Sequence, residues 1–429
     1  MRRGLTYLDT PLLPRRGQRS TAAAAAVAIA ATMIPACNAD DASEPETTVP
    51  ATTTVPVEPR VNDGALLIGL LLPTDAPLVA EAIGQTAQQV VDEINDAGGV
   101  LGEQVDVQTA EAGSSAAASA AAVDELVEAG VDAIVGPITS TNAITVVDAA
   151  SRSGVVTCSP TATAAILDDV PERTLFFRTI ASDSLQAEAI AETVDNTGAR
   201  SVTVAYVDDA YGRPYATAVT SGLKNRSLQV IEQVAFTPGE DIAGVVDQLI
   251  PNSADVLVAL GAGTELATLL TALGDADPAA FDTVVTNDAV RSAANQAVLA
   301  ALPYQLRTNI TGVAPQIIDR RFDAEPVVFS PQVTDCVTLL ALSTIEADSD
   351  APELIAAQMA PVSSGGRLCR SFDACAQIAV DRQIDYNGPT GVTELNRVGE
   401  TSRAAFDRFT ITDDGSDELS DIGGLTVSL

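Results

Sequence analysis

From Gly64 onward, hydrophobic and polar residues follow two patterns along the chain. Short continuous apolar runs predict strands buried on both faces, and the segments between them have the spacing of amphipathic helices. In the first series the predicted strands are 65–72, 105–109, 131–135 and 155–158, and the predicted helices are 77–97, 114–129 and 140–153. This order predicts a parallel sheet that is covered by helices on both faces.

A second series of the same kind begins near Ser182. Its predicted strands are 202–207, 228–235, 255–260 and 283–286, with helices between them. Because 429 residues exceed one ordinary domain, the two series predict an α/β fold of two doubly wound parallel-sheet lobes. Ligands of such sheets bind beyond the carboxyl ends of the strands, so we expect a ligand cleft between the lobes.

The first 36 residues show neither the strand pattern nor the helix pattern. Five arginines precede an apolar stretch at 21–33, and IPAC (34–37) follows it. A basic segment, a short apolar segment and a small residue before the cut are typical of a secretory signal, and the apolar run is too short to span a membrane. The tetrad is similar to a bacterial lipobox. It predicts a signal peptide at 1–36 and acylation of Cys37, with secretion without a lipid anchor as the alternative.

Residues 37–62 are rich in proline, threonine and acidic side chains. Such a composition buries too little apolar surface to fold, so we predict a disordered tether between the acylated cysteine and the folded body. The chain is therefore expected to be exported. We place it at the outer face of the cytoplasmic membrane, held only by its lipid anchor, or in the periplasm.

Composition narrows the classes of function. The formal net charge is −35, and Lys224 is the only lysine, so the surface repels phosphate and no nucleic-acid partner is expected. Histidine is absent, which excludes Ser–His–Asp and Cys–His catalysis and His-ligated metals. The acidic residues lack EF-hand spacing. We therefore predict a protein that is not an enzyme and that holds no cofactor and no metal.

Four cysteines follow Cys37 in the chain. Cys369 and Cys375 enclose a short loop and are an expected disulfide pair in an exported protein. Cys158 and Cys336 are then the remaining pair. Free buried thiols are the alternative for both pairs.

Five short motifs occur in a fixed order. They read INDAGGVLG (94–102), IVGPITS (134–140), SPTATA (159–164), DDAYG (208–212) and DYNGPTG (385–391). Their order and spacing resemble the type I periplasmic binding proteins of ABC importers, specifically the leucine/isoleucine/valine-binding branch. The resemblance implies a monomer whose chain crosses between the lobes three times through a hinge. It puts 63–182 and 313–402 in the N-terminal lobe, and 183–312 and 403–429 in the C-terminal lobe.

The resemblance also implies a binding site in the cleft. Ser140, Thr161 and Thr163 would bind the α-carboxylate of the ligand and help to hold its ammonium. Tyr211 would close over the ligand from the second lobe, and Asp288 would face the ammonium. The alternatives are that the Ser, Thr and Asp residues are helix N-caps and that the tyrosine packs locally in its turn.

These features together predict an extracytoplasmic solute-binding lipoprotein that serves an ABC importer through its membrane permease. The expected ligand is a small solute, an amino acid or a related amide or carboxylate. Residues 261–264 lack the aromatic side chain that amino-acid binders often carry there, so leucine is not assumed. A ligand-sensing receptor domain of the same fold is the alternative, and an exported hydrolase is a remote one.

Overall fold

The computed structural model describes most of the chain from Asn62 to Ser428, and each statement of structure below concerns the described residues. They are 62–74, 76–140, 142–168, 174–252, 254–261, 264–292, 294–318, 329–380, 382–391, 394–420 and 424–428. The predicted signal peptide, Cys37 and the tether before Asn62 lie outside them. Among the described helices, none combines the length and the apolar character that crossing a membrane requires.

The secondary-structure elements form three consecutive groups. The first contains β1 (Leu67–Pro73), α1 (Pro77–Asp96), β2 (Asp106–Ala112), α2 (Ala116–Glu128), β3 (Ala133–Val135), α3 (Ala143–Arg152), β4 (Val156–Ser159) and β5 (Phe176–Arg178). The second contains α4 (Asp183–Asn196), β6 (Ser201–Val207), α5 (Gly212–Asn225), β7 (Gln229–Phe236), α6 (Ile242–Leu249), β8 (Val256–Leu260), α7 (Glu265–Ala276), β9 (Thr283–Asn287), α8 (Gln296–Ala301), α9 (Tyr304–Thr308) and β10 (Ile310–Pro315). The third contains α10 (Ser330–Ala347), α11 (Pro352–Val362), β11 (Arg367–Cys369), α12 (Phe372–Ala379), β12 (Ile384–Tyr386), β13 (Arg403–Ile411), β14 (Asp417–Leu419) and β15 (Leu425–Ser428).

The first lobe is built on a parallel sheet in the order β2-β1-β3-β4-β5. Strands β3 and β4 are buried along their whole length, as expected for strands with helices on both faces. One face shares an apolar core with α1, α10 and α11, and the other face packs against α2 and α3. Helices from the third group of elements therefore complete a sheet whose strands lie in the first group.

The second lobe is built on a sheet in the order β14-β13-β10-β9-β8-β6-β7, with β15 also paired to β13. Its inner strands are parallel, whereas β13 runs antiparallel to β10. Helices α4 and α5 cover one face, and α6 and α7 cover the other. The last strands of the chain thus complete a sheet that begins with β6.

The chain passes between the lobes three times. The crossings follow β5, β10 and β12 and lead to α4, α10 and β13, respectively. The predicted fold class, two α/β lobes joined by three crossings, is confirmed. The predicted domain boundaries stay predictions, and the one between residues 312 and 313 falls inside β10 (Ile310–Pro315).

Two disulfides lie in the first lobe, and they are the predicted pairs. One joins Cys158 on β4 to Cys336 on α10, with Cα atoms 5.7 Å apart. The other joins Cys369 at the end of β11 to Cys375 on α12, with Cα atoms 5.3 Å apart. The first bridge ties the early sheet of this lobe to the late helix that covers it.

The predicted start of the third helix at Ser140 is wrong. Helix α3 begins at Ala143, and Asn142 precedes it without a side-chain cap. Before the helix, the carbonyl groups of residues 137 and 138 accept side-chain hydrogen bonds from the neighbouring loop. Ser159 donates to Pro137 at 2.7 Å, and Thr161 donates to Ile138 at 2.6 Å. Ser140 is therefore not the N-cap of α3.

Candidate functional site

The loops that follow β3 and β4 bind each other through their side chains. The hydroxyl proton of Thr161 goes to the carbonyl of Ile138, and Thr161 is buried. The backbone N–H of Ala164 points to the hydroxyl of Ser140, 3.4 Å away. Ser140 and Thr161 thus lie in one pair of loops that contact each other. Because this hydroxyl already donates its proton to Ile138, Thr161 offers a ligand an acceptor oxygen rather than a donor.

Thr163 lies where the first lobe meets the first crossing. Its carbonyl accepts a hydrogen bond of 2.8 Å from the backbone N–H of Asp183. Its hydroxyl lies close enough to the carboxyl of Asp183 and the phenol of Tyr211 to lower the pKa of both groups. Thr163 therefore reaches a side chain of the second lobe, as the predicted cleft requires.

Tyr211 immediately precedes α5 and is held there by its own loop. The carboxylate of Asp209 accepts hydrogen bonds from the backbone N–H groups of Tyr211 and Gly212, at 2.9 and 2.7 Å. The amide of Asn287 points to the phenol oxygen of Tyr211 at 3.4 Å. Burial raises the pKa of Tyr211 well above its usual value, and nearby carboxyl groups raise it further, so the hydroxyl keeps its proton. The tyrosine ring also packs edge-on against Tyr215 at 5.7 Å.

Asp288 follows β9, and its carboxylate is held by a residue of α4, the helix that follows the first crossing. The amide of Gln186 on α4 donates to its carboxylate at 2.7 Å and to the carbonyl of Val313 at 2.9 Å. Burial raises the pKa of Asp288, whereas Gln186 and Arg291 act against that shift. The alternative that Asp288 is the N-cap of a helix is wrong. Asp288 opens a short 3-10 turn (Asp288–Arg291), and α8 (Gln296–Ala301) begins only later.

Asp183 lies beside the predicted site residues and was not predicted from the sequence. It is the first residue of α4 and is 1 % exposed. Neither carboxylate oxygen has a well-formed hydrogen bond among the described residues. Burial raises its pKa to about 7, although the Thr163 hydroxyl and the charge of Arg178 oppose the rise. An acidic residue in the first turn is ordinary helix chemistry, so its type and position gave no separate signal.

Arg178 organises the loop that carries Thr163. Its fully buried guanidinium donates to the carbonyls of Ala162 and Ala164 at 3.1 and 3.3 Å and to Glu400 at 2.5 Å. It also pairs with Asp168. Because Glu400 lies in the third crossing, one cation links that crossing to the loop of the first lobe. These partners engage four of its five N–H donors.

The structure thus brings Thr163, Tyr211 and Asp288 into one cluster with Asp183, at the junction of the lobes. Ser140 and Thr161 support the adjoining loops. The role of each of these residues as a ligand contact stays a prediction.

Comparison with known proteins gives a consistent relationship. The sequence model of a family described as periplasmic binding protein matches residues 66–313, more than half of the chain. The Leu/Ile/Val-binding protein BraC3 of Rhizobium johnstonii is 32% identical over 198 residues, 45% of this chain and 53% of that protein. Leu/Ile/Val-binding protein homolog 3 of Brucella melitensis is 30% identical over 217 residues, 49% of this chain and 58% of that protein. The chain spans about half the length of the curated relatives it matches.

Solved structures share the fold. The branched-chain amino acid transporter substrate binding protein LivJ of Streptococcus pneumoniae, in complex with isoleucine, has a TM-score of 0.64 and 20% identity and covers 85% of this chain and 100% of its own. A solute binding protein of an ABC transporter from R. palustris, in complex with benzoate, has a TM-score of 0.65 and 17% identity, with 85% and 98% covered. At these identities the likeness concerns the fold.

Proposed function

The chain belongs to the periplasmic binding protein family, as its motifs predicted, and we propose that it captures an amino acid or a closely related ammonium-bearing solute outside the cytoplasm. The captured solute is delivered to the permease of an ABC importer, and the protein itself performs no chemistry. The observation that carries the proposal is the cluster of Thr163, Tyr211 and Asp288 at the junction of the lobes.

The charges of this cluster favour an ammonium group over a solute that is only a carboxylate. Asp288 and Asp183 are both acidic, and the nearby Arg178 is already engaged by Glu400 and Asp168. A buried carboxylate needs a cation or several donors, and the ammonium of an amino acid provides both. The relatives' names specify Leu/Ile/Val, and the isoleucine complex of the Streptococcus protein agrees with such a ligand. The benzoate of the R. palustris protein represents the competing ligand class.

The amino-terminal residues support a lipid anchor. The basic and apolar stretches before IPAC (34–37) have the layout of an export signal, and Cys37 would become the acylated first residue. The Pro/Thr-rich segment after it would then let the lobes stand away from the membrane. We therefore propose that the protein is a lipoprotein on the outer face of the cytoplasmic membrane.

A thermal-unfolding screen tests the ligand class. The chain from residue 38 onward is unfolded and refolded to remove copurified ligand, then mixed with amino acids, short amides, urea and benzoate. A bound amino acid at about 100 times its Kd should stabilise the fold by about 2.7 kcal/mol.

Asp288→Asn should abolish most of that stabilisation because it removes the charge opposite the ammonium. Asp282→Asn is the matched control, since Asp282 is exposed just before the same strand. Stabilisation by benzoate or amides, and by no amino acid, would contradict the proposal.

A further inference from the structure

The carboxyl group of Asp183 is buried without the partners that a buried carboxylate needs. It is 1 % exposed, and among the described residues neither oxygen has a well-formed hydrogen bond. Its backbone N–H bonds to Thr163, so the residue lies against the predicted ligand loop. An unpaired buried carboxylate is costly, and such a group persists most readily where a ligand completes it.

The groups around Asp183 do not supply a free cation. The charged side chains that act on it are Arg178, Asp168 and Asp288, and its own charge acts on the phenols of Tyr211 and Tyr215. Arg178 is engaged by Asp168 and by Glu400. The two tyrosines are uncharged, because burial raises the pKa of each well above its usual value. A cationic donor for Asp183 must therefore come from the ligand.

Tyr215 gives a second, independent indication of a polar occupant. Its side chain on α5 is fully buried, and among the described residues its hydroxyl has no hydrogen-bond partner. The carboxyls of Asp183 and Asp288 both raise the pKa of this phenol, so the three groups are near one another. Two buried polar side chains thus lack partners in the same part of the lobe junction.

We propose that Asp183 is a ligand-binding residue, and that its carboxyl accepts a hydrogen bond from the primary ammonium of the bound solute and releases a proton to solvent as it does so. The carboxylic acid of the free protein loses its O–H proton, and the resulting carboxylate pairs with the ammonium, whose own protons stay on nitrogen. The inference rests on the proposed function, because it requires an ammonium-bearing solute.

The pH dependence follows from the charge of the free group. Burial raises the pKa of Asp183 to about 7, so the group is protonated at lower pH. A bound ammonium favours the ionised form and lowers this pKa. Affinity therefore rises with pH up to about 7 and becomes level above it. The raised pKa of Asp288 adds a dependence of the same sign.

Isothermal titration calorimetry tests the inference. The chain from residue 38 onward is titrated at about pH 7 with the amino acid that stabilises it most in the screen, in phosphate and in Tris buffer. The difference in heat between the buffers gives the protons released. Wild type should release about half a proton per ligand bound at this pH.

Asp183→Asn should release fewer protons than wild type, leaving only the contribution of Asp288, and should bind about tenfold or more weakly at about pH 8, because the charge is lost with little change in shape. Asp195→Asn is the matched control, since Asp195 is exposed on the same helix. It should behave as wild type does.

Wild-type affinity and proton release in Asp183→Asn would overturn the inference and leave the proposed function intact. Failure of the wild type to bind any amino acid would instead remove the proposed function, and the inference with it. If Asp183→Asn does not fold, the proton release of the wild type alone tests the inference. Absence of proton release between about pH 6 and pH 8 would then overturn the inference.

Discussion

Asp335 is a buried carboxyl group whose hydrogen bonds come from the motif DYNGPTG. The hydroxyl of Tyr386 donates to it at 2.8 Å, and the hydroxyl and backbone N–H of Thr390 donate to its other oxygen. Burial raises the pKa of Asp335 to about 7, and these donors act against the rise. Gly388 is required because a Cβ there would overlap both Asp335 and Tyr386. The motif therefore anchors the start of the third crossing to α10.

Replacing Tyr386 by phenylalanine should lower the free energy of unfolding by about 1–3 kcal/mol, because a buried acceptor loses its donor. The loss should be larger at about pH 8 than at about pH 5, since the donor stabilises the ionised form of Asp335. Urea unfolding at the two pH values measures it. Tyr304→Phe, at an exposed tyrosine, is the control and should change stability little. Equal losses at both pH values would contradict the ionisation argument.

Strand β5 is short, but its last residue determines how several neighbouring segments meet. The guanidinium of Arg178 contacts the loop after β4, Asp168 beyond the 3-10 turn (Ala165–Leu167) and Glu400 in the third crossing. A desolvated cation tolerates burial only when such partners surround it. These contacts of Arg178 thus fix Thr163 relative to the crossings, although Arg178 is not itself predicted to contact the ligand.

Arg178→Met keeps most of the side-chain volume and removes the charge. We expect it to destabilise the protein by about 3–5 kcal/mol, since Glu400 loses the guanidinium that balances its buried charge. Urea unfolding measures the loss. The control is Arg152→Met, which breaks an exposed pair with Asp148 and should cost about 0–1 kcal/mol. Similar losses in both variants would show that the buried contacts of Arg178 add no more stability than an exposed ion pair does.

Most strands of the two sheets were predicted from short apolar runs, whereas β5 and β10 were not. β6 (Ser201–Val207) and β8 (Val256–Leu260) lie within one residue of the predicted bounds. The antiparallel strand β13 (Arg403–Ile411) was not predicted, because its polar residues interrupt the apolar run. Among the predicted site residues, Thr163 and Tyr211 lie within the motifs, and Asp288 was expected from the family resemblance. Asp183 and Arg178 were missed because their importance arises from contacts between distant segments, which local patterns do not contain.

Segments of the two lobes alternate along the chain. The disulfide Cys158–Cys336 joins two segments of the first lobe across the second-lobe segment that lies between them. Its cysteines are 178 residues apart in sequence, and β6 to β10 lie between them. The disulfide Cys369–Cys375 spans a sequence separation of only 6. In the chain-entropy model, a cross-link stabilises the fold more when it closes a longer loop of the unfolded chain.

The double variant Cys158→Ala/Cys336→Ala should therefore lose more stability than Cys369→Ala/Cys375→Ala. The model gives about 5 kcal/mol for the long loop and about 2 kcal/mol for the short one. Guanidinium unfolding of both variants, with thiol counting to verify the remaining bridge, measures the difference. A larger loss in the short-loop variant would contradict the entropic explanation.

The interleaved order also dictates when the protein can fold during its synthesis. The strands of the first sheet are made by residue 178, but α10, which covers them, is made only after residue 329. The second sheet lacks β13 until residue 403 and later residues have left the ribosome. Domains that are continuous in sequence fold one after another as they emerge, whereas here both cores stay incomplete until the chain is nearly finished. An unfinished chain that has not folded is also the form that can be threaded through a narrow export channel.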